Sequence, residues 1–227
     1  MRNAHRPDDE PRRQIGIADP PIGFAFAGAD PVGAPDRQDG EITPDLRTDR
    51  LLLRRFRADD LKRLAAIQSL PEVARFLYWE PRSREEVEAS LAGYIAATRL
   101  ERDDDAVTLA VERREDALLL GTATVWLRSV ANRQVEVGYV FHPDAGGHGY
   151  ATEATRALID FAFADLAAHR VFARTDSRNT ASAALLRRLG LREEAHFREA
   201  EIFKGEWGDE LVFAVLAHEW PSHFNPG

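Results

Sequence analysis

From Val135 to Thr155 the chain reads VEVGYVFHPDAGGHGYATEAT, an apolar strand pattern that breaks at Pro143 and restarts as a helix behind Gly146, Gly147 and Gly149. Glycine has no β-carbon, so such a turn can take positive φ and bring main chain close to a bound group. The N–H groups in the first turn of the following helix lack partners inside it, and the peptide dipoles add positive potential there. This order of parts suits an anion, phosphate above all. Two other places carry chemistry. Glu136 shares a strand face with Gly138 and Val140, opposite Val135, Val137 and Tyr139. A carboxylate there can serve as a general base or can pair with an arginine such as Arg133. Asn179 and Ser182 open a later helix, where both are good caps. His142 and His148 have no third ligand at suitable spacing, so no metal site is expected.

The elements that must position these groups follow from period and punctuation. RLLLRRF (Arg50 to Phe56) reads as a strand, and ADDLKRLAAIQS as a helix with Asp59 and Asp60 at its positive end. A short helix follows Pro71. The segment SREEVEASLAGYIAATR opens with Ser83 and Glu86 as a capping box and carries Val87, Leu91, Tyr94 and Ile95 at helical spacing. Strands are expected near Ala106 to Glu112 and Leu118 to Leu127, joined by RREDA as an antiparallel hairpin, then at Val135 to Phe141. Behind the glycine turn, Ala154, Leu158, Phe161, Ala162 and Leu166 form one stripe. HRVFART (His169 to Thr175) returns as a strand, so this unit is expected to be a right-handed parallel crossover. A helix from Thr180 to Leu189 stops at Gly190. Final strands near Arg192 to Glu201 and Glu210 to Ala217 flank a turn containing Gly205 and Gly208. Tyr78, Trp79, Trp126 and Trp207 are either acceptor-pocket lining or core and rim.

Composition bounds the possibilities. The 227 residues, 44% hydrophobic and 30% charged, suit one α+β domain over residues 45–220. Residues 1–44 hold seven of the twelve prolines and five of the fifteen glycines, which predicts a disordered or loosely packed extension; 221–227 read as a tail. A net charge of −8 argues against nucleic acid and favours cationic partners such as amines. All but two of the 30 basic residues, Lys62 and Lys204, are arginine. With no apolar run of membrane length, no signal-peptide core and no cysteine, the expectation is a cytoplasmic protein without membrane contact, disulfide or thiolate chemistry.

A dinucleotide-binding unit fits the turn poorly, because Thr152 stands at the third glycine and an antiparallel hairpin precedes the turn. A P-loop is excluded by the missing Gly-Lys-Ser/Thr. The stretch VEVGYVFHPDAGGHGYATEA resembles instead the acetyl-CoA signature of the GCN5-related N-acetyltransferases, in particular their ribosomal-protein N-acetyltransferase-like branch. TDRLLLRRFRADD, NTASAALLRRLGL and KGEWGDELVFAVLAHEW extend the resemblance in the right order. Asp144 departs from it where the wider superfamily has Gln or Arg, and Leu191 replaces a common Phe.

The resemblance implies a mixed, mostly antiparallel sheet that opens between the strands at Val135 and His169, with acetyl-CoA in the opening and no metal. Main-chain groups at Val140, Phe141 and His142 would pair with pantetheine. N–H groups from Gly147 through His148, Gly149, Tyr150 and Ala151 to Thr152 would cradle the pyrophosphate. Asn179 would lie near pantetheine, and Ser182 near the sulfur as a hydrogen-bonding catalytic group. Glu136 would be the base, acting through water on an amine acceptor. That acceptor is expected to be a protein N-terminal α-amine, with an antibiotic or polyamine as the alternative. A non-catalytic acyl-CoA sensor is the reading from another class, and the protein is expected to be a monomer or homodimer.

Overall fold

The computed structural model describes residues 45–221. The extension expected over 1–44 and the tail from 222 lie outside them. Eight strands form one sheet: β1 (Leu46–Arg47), β2 (Leu51–Arg54), β3 (Ala106–Arg113), β4 (Leu118–Ser129), β5 (Gln134–Phe141), β6 (Arg170–Asp176), β7 (Arg192–Phe203) and β8 (Glu206–Leu216). Their order is β1-β2-β3-β4-β5-β6-β8-β7, and every neighbouring pair is antiparallel except β5 and β6. The helices are α1 (Leu61–Gln68), α2 (Pro71–Ala74), α3 (Arg84–Ala96), α4 (Tyr150–Ala164) and α5 (Thr180–Arg188). The fold is the mixed α+β arrangement expected, including the parallel β5-α4-β6 crossover.

Each face of the sheet buries its own apolar set. On one, Leu158, Phe161 and Ala162 of α4 and Leu185 and Leu186 of α5 pack on Val135, Val137, Val171 and Phe213. On the other, Leu64 and Ile67 of α1 and Val87 and Leu91 of α3 close over Phe56, Ala110 and Leu119. The strand alternation dictates this division, because neighbouring side chains point to opposite faces. Helix α3 starts as its capping box requires: Ser83 Oγ accepts from Glu86 N at 3.3 Å, and Glu86 Oε2 accepts from Ser83 N at 2.7 Å. Gly190, with φ of 87°, ends α5.

Two details differ from expectation. β1 is a short strand before the opening motif, too brief to carry a pattern. Gly208 lies inside β8, while Lys204 and Gly205, with φ of 51° and 86°, make the turn. Gly208 pairs with Glu201 beside a register shift in β7, where a glycine accommodates the irregular backbone.

Candidate active site

The parallel pairing of β5 and β6 lasts for three residue pairs, Gln134–Arg170, Val135–Val171 and Glu136–Phe172. Beyond them β5 continues to Phe141 and β6 to Asp176 with no pairing between the two strands. The main-chain groups of Tyr139 and Phe141 therefore face a gap rather than a strand, whereas those of Gly138 and Val140 alternate toward β4, in the register that ends with His142 N–H donating to Leu120 O. Gly138 makes room for the Trp126 ring of β4, since a Cβ on it would come 2.8 Å from Trp126 Cζ3.

At the end of β5 a 3₁₀ turn (Pro143–Ala145) leads into the glycines, with Gly147 and Gly149 both at φ of 79°. From Gly147 to Thr152, no main-chain N–H makes a well-formed hydrogen bond to protein among the described residues. These N–H groups belong to the residues expected to cradle an anion: Gly147, His148, Gly149, Tyr150, Ala151 and Thr152. The Tyr150 side chain is buried in the core, with Arg50 over its ring and His148 stacked on it, so its side chain serves packing. His142 is largely spent on the turn. Its N–H donates to Leu120 O at 2.9 Å, its carbonyl accepts from Ala145 N, and its Nδ1 accepts from Asp144 N at 3.1 Å. This leaves Phe141, with Tyr139, as the better placed strand groups, because Val140 turns its N–H and C=O toward Thr122 of β4. The Asp144 carboxylate is exposed.

Asn179 Oδ1 accepts from Ser182 N at 3.1 Å, the capping geometry. Ser182 Oγ also lies 2.9 Å from Tyr139 Oη, a bond that reaches from β5 to α5. Burial pushes the Tyr139 phenol up to about 12, against the opposing effect of the Ser182 hydrogen bond. Alternation along β5 assigns Tyr139 only to the core face, so the sequence carries no signal for this contact.

Glu136 is buried, and both its oxygens are engaged. Arg128 Nε donates to Oε2 at 2.6 Å, and Arg174 Nε to Oε1 at 3.0 Å. Arg133, the partner suggested by proximity, instead donates to Ala167 O. Arg174 reaches on to Glu210 Oε1 at 3.4 Å. Burial raises the Glu210 carboxyl above the usual range; Arg174 opposes this, and Glu201 and Glu136 reinforce it. Tyr78, from the segment after α2, donates to Glu201 and packs edge-on against Phe203. Burial and the neighbouring Glu201 raise its phenol. Tyr78 and Trp207 are exposed, so they form rim rather than core. Arg82 covers Trp79, and Trp126 lies under Gly138. Among the described residues no group of three or more His, Asp or Glu could hold a metal, and no helix is long and apolar enough to cross a membrane.

Chemically, the parting of the strands offers free peptide groups for an extended amide chain, and the turn offers N–H groups for a diphosphate. The Tyr139–Ser182 pair lies on one side of the gap and a carboxylate–arginine chain on the other.

The sequence matches the family model of the acetyltransferase (GNAT) domain over residues 50–192. It is similar to the uncharacterized N-acetyltransferase YnaD of Bacillus subtilis (strain 168), with 27% identity over 175 residues, 77% of this chain and 98% of that one. A GNAT-family acetyltransferase from Bacillus anthracis has the same fold, with a TM-score of 0.69 and 24% identity over 77% of this chain and 99% of that chain. So does a spermidine N-acetyltransferase from Vibrio cholerae in complex with CoA and spermine, with a TM-score of 0.65 and 21% identity over 76% of this chain and 98% of that one.

Proposed function

The chain belongs to the acetyltransferase (GNAT) family and is an acetyl-CoA-dependent acyltransferase; from that premise we propose that it acetylates a protein N-terminal α-amine by direct attack on the thioester. The observation that carries the acceptor is the state of Glu136. Its oxygens already accept from Arg128 and Arg174, so it is a restrained base. An α-amine, with a pKa near 7.7–8.0, is roughly one-tenth free at pH 7, whereas a lysine-like amine near 10.4 is free about once in a few thousand. A site with an engaged carboxylate suits the acceptor that supplies its own free base.

The residues fit the cofactor. N–H groups from Gly147 to Thr152 would hold the diphosphate, and the free edge of β5 at Tyr139 and Phe141 would pair with pantetheine. When bound, acetyl-CoA supplies the activated acetyl group. The main-chain N–H of Phe141 would stabilise negative charge on the thioester oxygen. Ser182, backed by Tyr139, hydrogen-bonds the departing sulfur, while Asn179 holds the helix start in place. Glu136 takes the amine's proton through a water molecule. Its double pairing favours a second reading of that residue alone, in which it holds Arg174 and the strands in place and the proton leaves to solvent.

One feature of the cleft favours a different acceptor. Glu201 and Glu210 add negative charge beside Arg174 and Glu136, which suits a small polyamine carrying further cationic groups. The test is thiol release from acetyl-CoA across N-terminal peptides, lysine-containing peptides blocked at their N-termini, and polyamines. Turnover with free N-terminal peptides and none with blocked ones is the expected result. Turnover confined to polyamines would transfer the assignment to the small-molecule class, and acetyl-CoA binding without release on any amine would indicate a sensor.

A further inference from the structure

The corner between β1 and β2 is bound to the glycine turn by more contacts than a surface corner needs. Thr48 Oγ1 donates to Glu153 Oε1 at 2.6 Å, and Arg50 N donates to the same oxygen at 3.0 Å. Arg50 Nε reaches Glu153 Oε2 at 2.7 Å, and Nη2 lies 2.6 Å from it. Arg50 Nη1 donates to His148 O at 2.9 Å, and its guanidinium lies 4.8 Å from the centre of the Tyr150 ring. The corner itself is held by Arg114 Nη1, which donates to the carbonyls of Thr48 and Asp49.

Arg50 is half exposed, and an exposed ion pair contributes little stability. The arrangement makes better sense as electrostatics around a ligand. Glu153 sits in the first turn of α4, one residue beyond Thr152. The helix dipole favours its charge, but the same charge repels a diphosphate docking on the neighbouring N–H groups. Burial would raise its carboxyl, yet the hydrogen bonds from Thr48 and Arg50 hold it below the usual range. Left alone it would be a fixed anion beside the cradle. Arg50 supplies the compensating charge and also sets the geometry. A trans peptide unit directs its C=O and N–H in opposite directions, so holding His148 O on Arg50 turns the Gly149 N–H away from the corner.

We propose that Arg50 is a positioning residue for the phosphates of acetyl-CoA, neutralising Glu153 and orienting the His148–Gly149 peptide. This rests on the cradle reading given under the proposed function. The test compares dissociation constants for acetyl-CoA and for acetyl-pantetheine, which carries the thioester without the phosphates, by calorimetry. The proteins are the full-length wild type, Arg50→Ala, Arg50→Lys, Glu153→Gln and the Arg50→Ala/Glu153→Gln double variant, each checked by thermal melting. Arg50→Ala is expected to weaken acetyl-CoA about 10-fold and acetyl-pantetheine less than about twofold, the size of one lost charge-assisted contact. Adding Glu153→Gln should recover part of that loss by removing the uncompensated charge, and Arg50→Lys should keep more affinity than Arg50→Ala. Equal weakening of both ligands, or no recovery in the double variant, would overturn the role of Arg50. A wild type that binds both ligands alike would overturn the cradle itself, before Arg50 is considered. If Arg50→Ala does not fold, Arg50→Lys and Glu153→Gln decide: unchanged discrimination between the two ligands in Arg50→Lys, with weaker acetyl-CoA binding in Glu153→Gln, rejects the proposal.

Discussion

Two arginine–carboxylate knots lie on the α1–α3 side of the sheet, and they differ in how completely they close. In the first, Arg54 donates from Nη1 and Nη2 to both oxygens of Asp60 at 2.8 Å, and from Nε to Glu112 at 2.7 Å. Arg57 N adds another bond to Asp60, and Arg54 and Asp60 are only 5% and 7% exposed. In the second, Arg128 and Arg174 share Glu136, and the last link, from Arg174 to Glu210, stretches to 3.4 Å. The closed knot ties β2, β3 and the start of α1 together. The open one sits where β5 and β6 part and leaves one carboxylate, Glu210, poorly compensated. The same residue types therefore close completely in one place and leave a raised carboxyl in the other; desolvation without full pairing makes the difference.

The strongest way to break this contrast is Asp60→Asn. Removing one partner of a buried pair should cost about 3–5 kcal/mol, read as a lower urea midpoint. Burial would raise the Asp60 carboxyl, but Arg54 and Arg57 hold it below its unfolded value. Its contribution is therefore present above the unfolded pKa of about 3.9 and is lost as pH falls through the lower folded value. The wild type should lose stability over that acid range more steeply than the variant.

Glu136→Gln comes next. If Glu136 is the base, turnover should fall about 100-fold at pH 6.5 and much less at pH 9, where the amine is free unaided. An equal loss at both pH values would place Glu136 with Asp60, as structure. Gly149→Val should weaken acetyl-CoA about 10-fold or more, because a β-branched residue is strained at that positive φ. The φ there is 79°, and the new Cβ would stand 3.5 Å from Arg50 Nη2, so the branches beyond it would crowd the guanidinium. Affinity within twofold of wild type, measured by titration, would remove the turn from the site. The smallest effect belongs to Glu210→Gln. With the carboxyl raised in the fold, stability falls as pH rises from the unfolded value through the folded one, so the neutral amide should equal or exceed wild type in melting temperature at pH 7. A drop comparable to that of Asp60→Asn would erase the distinction between the knots.

Local chemistry was legible in the sequence wherever a residue's role depends on its near neighbours. The Ser83–Glu86 box, Gly190 at the end of α5, the glycine turn and the strand–helix–strand crossover all appear as their spacing requires. So do the positive φ values at Gly147 and Gly149. These features are set within a few residues by main-chain sterics and by unsatisfied helix-end N–H groups, which any fold must accommodate.

What only the tertiary structure decided is which side chains meet across strands and loops. Glu136 pairs with Arg128 and Arg174 rather than with nearby Arg133, because β4 and β6 flank β5 and their registers bring those arginines within reach. Tyr139 meets Ser182, and Arg50 meets Glu153 across 103 positions, for the same reason. Alternation assigns a side chain to a face, but its partner depends on strand order and register, which are set by burial over the whole sheet.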